Sequence, residues 1–140
     1  MKLKQIFQYG LYTLLCILII YVLYSIVIGL QIRNMIVASY SKDSEKLDVY
    51  SKYTKIELLN RLDFSFDDKR DYDFPYKIKY KLSIPLVIHR FISGEGIYWY
   101  SYEVVNTDTE KIVRGWRAPV RFKFIIKDFH VQITDKSEAP

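Results

Sequence analysis

Cysteine is almost absent from this chain of 140 residues. The single one, Cys16, lies inside an apolar run, so no disulfide can form within the domain that follows, and that domain must hold by packing. A lipid-modified cysteine needs a small residue directly before it, but Leu14 and Leu15 stand there and the run continues past Cys16, which argues against lipidation. Histidine occurs twice, as His89 and His130, and nothing in the sequence places a carboxylate beside either, so acid–base chemistry lacks a pair. No metal, nucleotide or catalytic motif stands out, and there is no internal repeat or low-complexity linker. The formal net charge is +5; with Lys2 and Lys4 set aside, 19 basic residues face 16 acidic ones. These charges are interleaved rather than clustered, which is not the pattern of a nucleic-acid binder, and no nucleic acid is expected as a partner.

What the chain does have is a long uncharged stretch, LYTLLCILIIYVLYSIVIGL, over residues 11–30. About 20 helical residues span roughly 30 Å, the thickness of a bilayer's hydrocarbon core. The lipid bilayer is therefore the first expected partner, through Leu11, Leu14, Leu15, Ile19, Ile20, Leu23, Ile26 and Leu30. The head, residues 1–8, carries Lys2 and Lys4 without an acid, the pattern of a cytoplasmic flank, which predicts an inward N-terminus and an extracytoplasmic C-terminal domain. A cleaved signal peptide competes, but its apolar region normally covers about 7 to 15 residues, and the best cleavage site, Val37-Ala38-Ser39, lies beyond Arg33. A retained anchor is the expectation. The chain divides into a cytoplasmic head (1–8), a transmembrane helix (9–32), an extracytoplasmic domain (33–134) and a flexible tail (135–140). Tyr9 and Tyr12 suit the inner interface, and Tyr21 and Tyr24 pack in lipid. Ser25 and Gly29 have the small-xxx-small spacing that would permit a homo-oligomer.

Residues 33–140 are enough for one small domain. The helical pattern continues over 31–40 with Ile32, Met35, Ile36 and Ser39 on one side. It breaks at Ser41-Lys42-Asp43-Ser44, where Asp43 or Ser44 can cap a second helix over 44–61, striped by Val49, Tyr53 and Ile56 and by Leu47 and Tyr50. Residues 63–74 form an acidic and aromatic loop. Asp67, Asp68, Asp71 and Asp73 lack the glycine of a calcium loop and have Lys69 and Arg70 among them, so a solvated loop without metal is expected. The period then becomes two. Tyr76, Ile78, Tyr80, Leu82 and Ile84 alternate with lysines; 86–92 is a second strand and Ser93-Gly94-Glu95-Gly96 a turn; 97–105 is a central strand with both faces covered. A short strand at 111–116, another opening at Pro119 with Val120, Phe122, Phe124 and Ile126 inward, and a last one with Phe129, Val131 and Ile133 inward complete the set. His89 is expected to be partly buried and His130 exposed. The fold class is α+β: a transmembrane helix, then one or two helices packed on a curved antiparallel sheet of five or six strands.

This order resembles the nuclear transport factor two-like cone fold, also called cystatin-like, over most of 33–134. The resemblance is carried by Ile36-Val37-Ala38-Ser39-Tyr40-Ser41-Lys42-Asp43-Ser44-Glu45-Lys46-Leu47, a helix, a polar break with Asp and a second helix, and by the late strands with Trp99, Tyr100 and the 120–126 alternation. The family usually has a further helix among its early strands, for which residues 58–74 are the available stretch. Single-pass members with an external cone domain are similar to the bitopic assembly subunits of type IV secretion and conjugation systems, where the domain is a protein–protein scaffold. The Ile-, Lys- and Tyr-rich, Ala-poor composition is similar to that of a low-GC bacterium.

Three functions are compatible with these features. The first is a non-enzymatic, membrane-anchored binding or scaffold protein of the cell envelope, with no cofactor, whose partner surface would draw on Tyr98, Tyr100, Tyr102, Arg114, Trp116 and Arg117, since aromatic and arginine side chains anchor interfaces. The second is an anchored immunity or phage-exclusion protein, which would meet a toxin or phage component through the cations near Trp116. The third is an enzyme or small-ligand binder using the pocket between helices and sheet; an aromatic filling of that pocket would argue against it.

Overall fold

In the computed structural model, which describes residues 3–63 and 72–138, one continuous helix, α1 (Leu3–Ser41), is followed by two short ones, α2 (Ser44–Ser51) and α3 (Ile56–Asn60), and by five antiparallel strands. The strands are β1 (Tyr76–Leu82), β2 (Leu86–His89), β3 (Ser93–Asn106), β4 (Ile112–Lys127) and β5 (His130–Glu138). The fold is thus α+β, with one N-terminal helix long and apolar enough to cross a membrane. Every described residue of α1 up to Ile20 is exposed. Further on, Ile28, Ile32, Met35, Ile36 and Ala38 are buried, so the helix that leaves the apolar run also enters the core. It ends where Lys42 takes a left-handed conformation (φ 54°). Asp43 N–H donates to the Ala38 carbonyl at 3.2 Å, and its carboxylate then accepts from Lys46 N–H at 3.1 Å to start α2. That amide holds the Asp43 carboxyl below the usual carboxylate range.

The second helix is not continuous over 44–61 as its stripe suggests. It stops after Ser51 because the next residues are used by β5: the buried Thr54 hydroxyl accepts from Ile133 N–H at 3.1 Å, and the Tyr53 ring stacks on His130 at 4.1 Å. Asp67, Asp68 and Asp71 of the acidic loop lie outside the described residues. Only the three residues 83–85 join β1 to β2, so the further helix of the cone family does not stand between them.

Strand order is β1-β3-β4-β5, and β2 also pairs with β3, so β3 is central. Residues directly opposite across an antiparallel pair share a face. The concave face therefore carries Tyr98, Tyr100, Tyr102 and Val104 of β3 beside Val120, Ala118 and Trp116 of β4, and α1 packs on it. Bulges at Val104/Val105 and at Lys123/Phe124 locally bend and twist the pairing. The second face of β3 is only half covered, since Trp99 is 40% exposed.

Ser93-Gly94-Glu95-Gly96, expected as a turn, opens β3 instead. The glycines are there for close approach: a Cβ on Gly96 would lie 2.5 Å from the Leu86 carbonyl oxygen and 2.5 Å from the Phe122 ring. The turn is displaced to residues 90–92, with Phe91 at φ 61°. The two strands expected on either side of Pro119 are one, β4. Pro119 faces Trp99, whose N–H and C=O are turned to Ser83 on the β1 side. This is a pair without mutual hydrogen bonds, so the missing proline N–H falls beyond the end of β5 and costs no ladder bond. Phe129, expected inward, is in the β4–β5 turn and 93% exposed, and β5 runs on to Glu138 through residues expected as tail.

Gly96→Ala should destabilise the domain by about 2 kcal/mol, because both obstructing groups are fixed. Gly10→Ala, inside α1 and with nothing within 4 Å of its Cβ, should cause no destabilisation. Chemical denaturation of the two variants in detergent, followed by tyrosine and tryptophan emission, checks the contrast.

Candidate interaction surface

The six residues expected at a partner surface divide between the two faces of the sheet. Tyr98, Tyr100 and Tyr102 are buried under α1. They belong to the core, not to a surface, because their alternation phase is that of Val104 and Val120. Trp116 is half-buried, its ring 6.1 Å from Tyr100 and 6.3 Å from Tyr102, and Arg114 is exposed at the end of the same face, opposite Val104. Arg117 alone is on the convex face, opposite Ser101. Tyr40 of α1 closes the far end of the core by stacking on Tyr80 at 4.1 Å.

The convex face follows from the same register. Lys77, Lys79 and Lys81 on β1, then Arg117, Arg121 and Lys123 on β4, lie on it with Glu95, Glu103 and Asp135. Six cations against three carboxylates make it basic, and Trp99 is at its centre. An open depression of about 540 Å³ there is lined by Lys81, Ser83, Trp99, Glu103 and Arg117, with Gly115 leaving room beside Glu103. A half-exposed indole with Lys81 and Arg117 beside it is suited to holding an acidic, partly apolar protein segment. The sequence does show the Lys/apolar alternation behind this face. Which β4 cations join it depends on a strand register the sequence does not display.

Among the described residues, neither histidine meets a carboxylate. His89 is 4% exposed, its ring stacked on Tyr21 at 4.3 Å and edge-on to Tyr24 at 5.0 Å. Its Nδ1 accepts from Phe91 N–H at 3.2 Å, which leaves Nε2 as the protonated nitrogen. His130 is exposed, and Nδ1 lies 2.7 Å from the Asp128 carbonyl oxygen. Among the described residues, no three His, Cys, Asp or Glu side chains converge as a metal site would require. Of the small-xxx-small pair that would permit a second helix to approach, Gly29 faces the chain's own β1–β2 link: a Cβ there would come within 2.9 Å of the Pro85 carbonyl oxygen. No family model matches the chain, and no curated protein matches it in sequence.

The core retains two polar liabilities, the buried His89 Nε2 and the Tyr98 hydroxyl, neither of which has a hydrogen-bond partner among the described residues. Burial of the Tyr98 hydroxyl raises its pKa well above the usual tyrosine value. Tyr98→Phe should therefore stabilise the fold by about 1 kcal/mol. The sign with pH follows: unfolded Tyr98 loses its proton near pH 10 while the folded residue keeps it, so stability falls as pH rises above about 10. Denaturation curves at pH 8 and pH 11 should show a smaller alkaline loss in Tyr98→Phe than in the parent chain.

Proposed function

We propose that this protein is a membrane-anchored, extracytoplasmic binding or scaffold protein of the bacterial cell envelope, and that it docks an acidic protein partner on the convex face around Trp99. The observation that carries the reading is the continuity of α1, whose first part is exposed and apolar and whose last part lies in the core. Anchor and sheet are one body, so the convex face is held at a fixed attitude to the bilayer, as a scaffold requires. The place where an enzyme of the cone fold would hold its pocket is filled by Tyr98, Tyr100, Phe122 and Phe124, which favours binding over catalysis. The likeness to bitopic assembly subunits of secretion systems belongs to this proposal and rests on the order of elements.

Two measurements test it. Protease added to intact cells should remove a C-terminal tag while a cytosolic control survives; a protected tag would reverse the orientation. A photo-crosslinking residue in place of Trp99 should give a discrete adduct in cells, and the combination K79E, K81E and R117E should abolish most of it. An adduct that persists through the three charge reversals would sink the docking role of this face.

A further inference from the structure

We infer that the protein touches the bilayer a second time, through the aromatic turns at one end of its sheet, which enter the interfacial lipid beside α1. This rests on the reading of α1 as a membrane anchor. The uncharged part of α1, residues 5–32, is about 42 Å long at the helical rise, against roughly 30 Å of hydrocarbon. Counted from Lys4, that thickness is used up about 20 residues on, near Tyr24. There the helix already meets the sheet. The Tyr21 hydroxyl donates to the His89 carbonyl and accepts from His89 N–H, both at 3.2 Å, and the Tyr24 hydroxyl donates to the Phe91 carbonyl at 3.3 Å. Hence the 90–92 turn is level with the lipid boundary, and two tyrosines stand at the height where interfacial aromatics belong.

The surface at that level is apolar. Phe91 is 70% and Ile92 72% exposed, with Ile88 exposed beside them. The β4–β5 turn is at the same end, because Ser93 pairs with Ile125 and Ile126 N–H donates to the Ile92 carbonyl at 2.7 Å; it presents Phe129. Both phenylalanines have positive φ, 61° and 63°, where glycine would be unstrained, so bulky apolar rings occupy the two tips at a conformational cost. Exposed Arg90 and Lys127 flank them, placed to meet phosphates, and one acid, Asp128, stands beside Phe129. The opposite end of the sheet contrasts with this: the β3–β4 turn there reads Asn106-Thr107-Asp108-Thr109-Glu110-Lys111 and has no aromatic residue.

Lipid also explains the edge of β2. An open strand edge in a water-poor layer needs its backbone groups satisfied from within the protein, and the tyrosine hydroxyls of the anchor helix satisfy His89 N–H and C=O at the end of β2 and the Phe91 C=O in the turn after it. The exposed Val22, Leu23, Ile26 and Val27 continue the apolar surface of α1 up to the 90–92 turn, where Arg90 is the first charged residue.

The test uses the full chain with Cys16→Ser, reconstituted in phosphatidylcholine vesicles whose acyl chains carry bromine. Single cysteines at Ile92, Phe129, Leu18 and Thr109 are labelled with nitrobenzoxadiazole. Labels at Ile92 and Phe129 should lose most of their emission to the bromolipid, as the Leu18 label does, while the Thr109 label keeps its own. Quenching at Leu18 with full emission at Ile92 and Phe129 would overturn the second contact and leave the anchor standing. Full emission at Leu18 as well would remove the anchor and the inference with it. Ile92→Cys chains that cross-link to each other without lipid quenching would show that a second copy, not lipid, covers the turns.

Discussion

The packing of Ile28, Ile32, Met35 and Ile36 against Tyr98, Tyr100, Phe122 and Phe124 is the contact on which the rest of the structure depends. These helix positions recur at intervals of four, three and one, a single stripe, and each buried side chain contributes about 1.5–3 kcal/mol. The same helix completes the sheet's edges. Gln31 accepts from Val131 N–H on β5 at 3.2 Å, while Tyr21 serves β2 and Tyr24 the turn after it. A chain cut before Arg33 would thus lose Ile28 and Ile32 from the core, and both strand edges would lose partners. The apolar helix is not a tether to an independent domain; it is one wall of that domain.

A division of chemistry along the sheet follows from that arrangement. Because α1 runs the length of the concave face, one end of the sheet is fixed beside the apolar helix and the other points away. Exposed phenylalanines gather at the first end and polar turn residues at the second. Asn106, whose side chain accepts from Asp108 N–H at 2.8 Å and Thr109 N–H at 3.1 Å, shapes the far turn with groups that water also satisfies. Surface chemistry accordingly changes along the strands as well as across the sheet.

Much of this was legible in the residues, and the failures have physical reasons. Alternation exposed the strands, and the 3.6-residue stripe carried α1 to Ser39, whose hydroxyl donates to the Leu59 carbonyl at 2.6 Å. Local signals misled where a distant partner outweighed them. Gly94 and Gly96 look like a turn, but their missing side chains make room for Phe124, Phe122 and the β2 backbone. Pro119 looks like a strand start, yet it falls at a register position with no hydrogen bond to lose. Thr54 interrupts a well-patterned helix because an edge amide of β5 needs an acceptor. The candidate partner surface was the least legible part. Aromatic content alone cannot separate Tyr98, which faces the core, from Trp99, which does not, and only the register assigns Arg117, Arg121 and Lys123 to the face of Lys79 and Lys81.

Geometry then limits what can dock. Gly94 pairs with His89, which is bonded to Tyr21, and Trp99 is five residues further along β3, about 17 Å at the strand rise. On the proposed placement, the convex site stands only about two Debye lengths from the lipid surface at physiological salt. A large soluble partner with no affinity for the membrane would have to bring its own bulk against the headgroups to reach Trp99. A partner that is itself anchored, or that offers a narrow acidic segment, pays no such steric penalty. On that placement, the length of β3 between the turn and the indole would favour partners that already reside at the membrane.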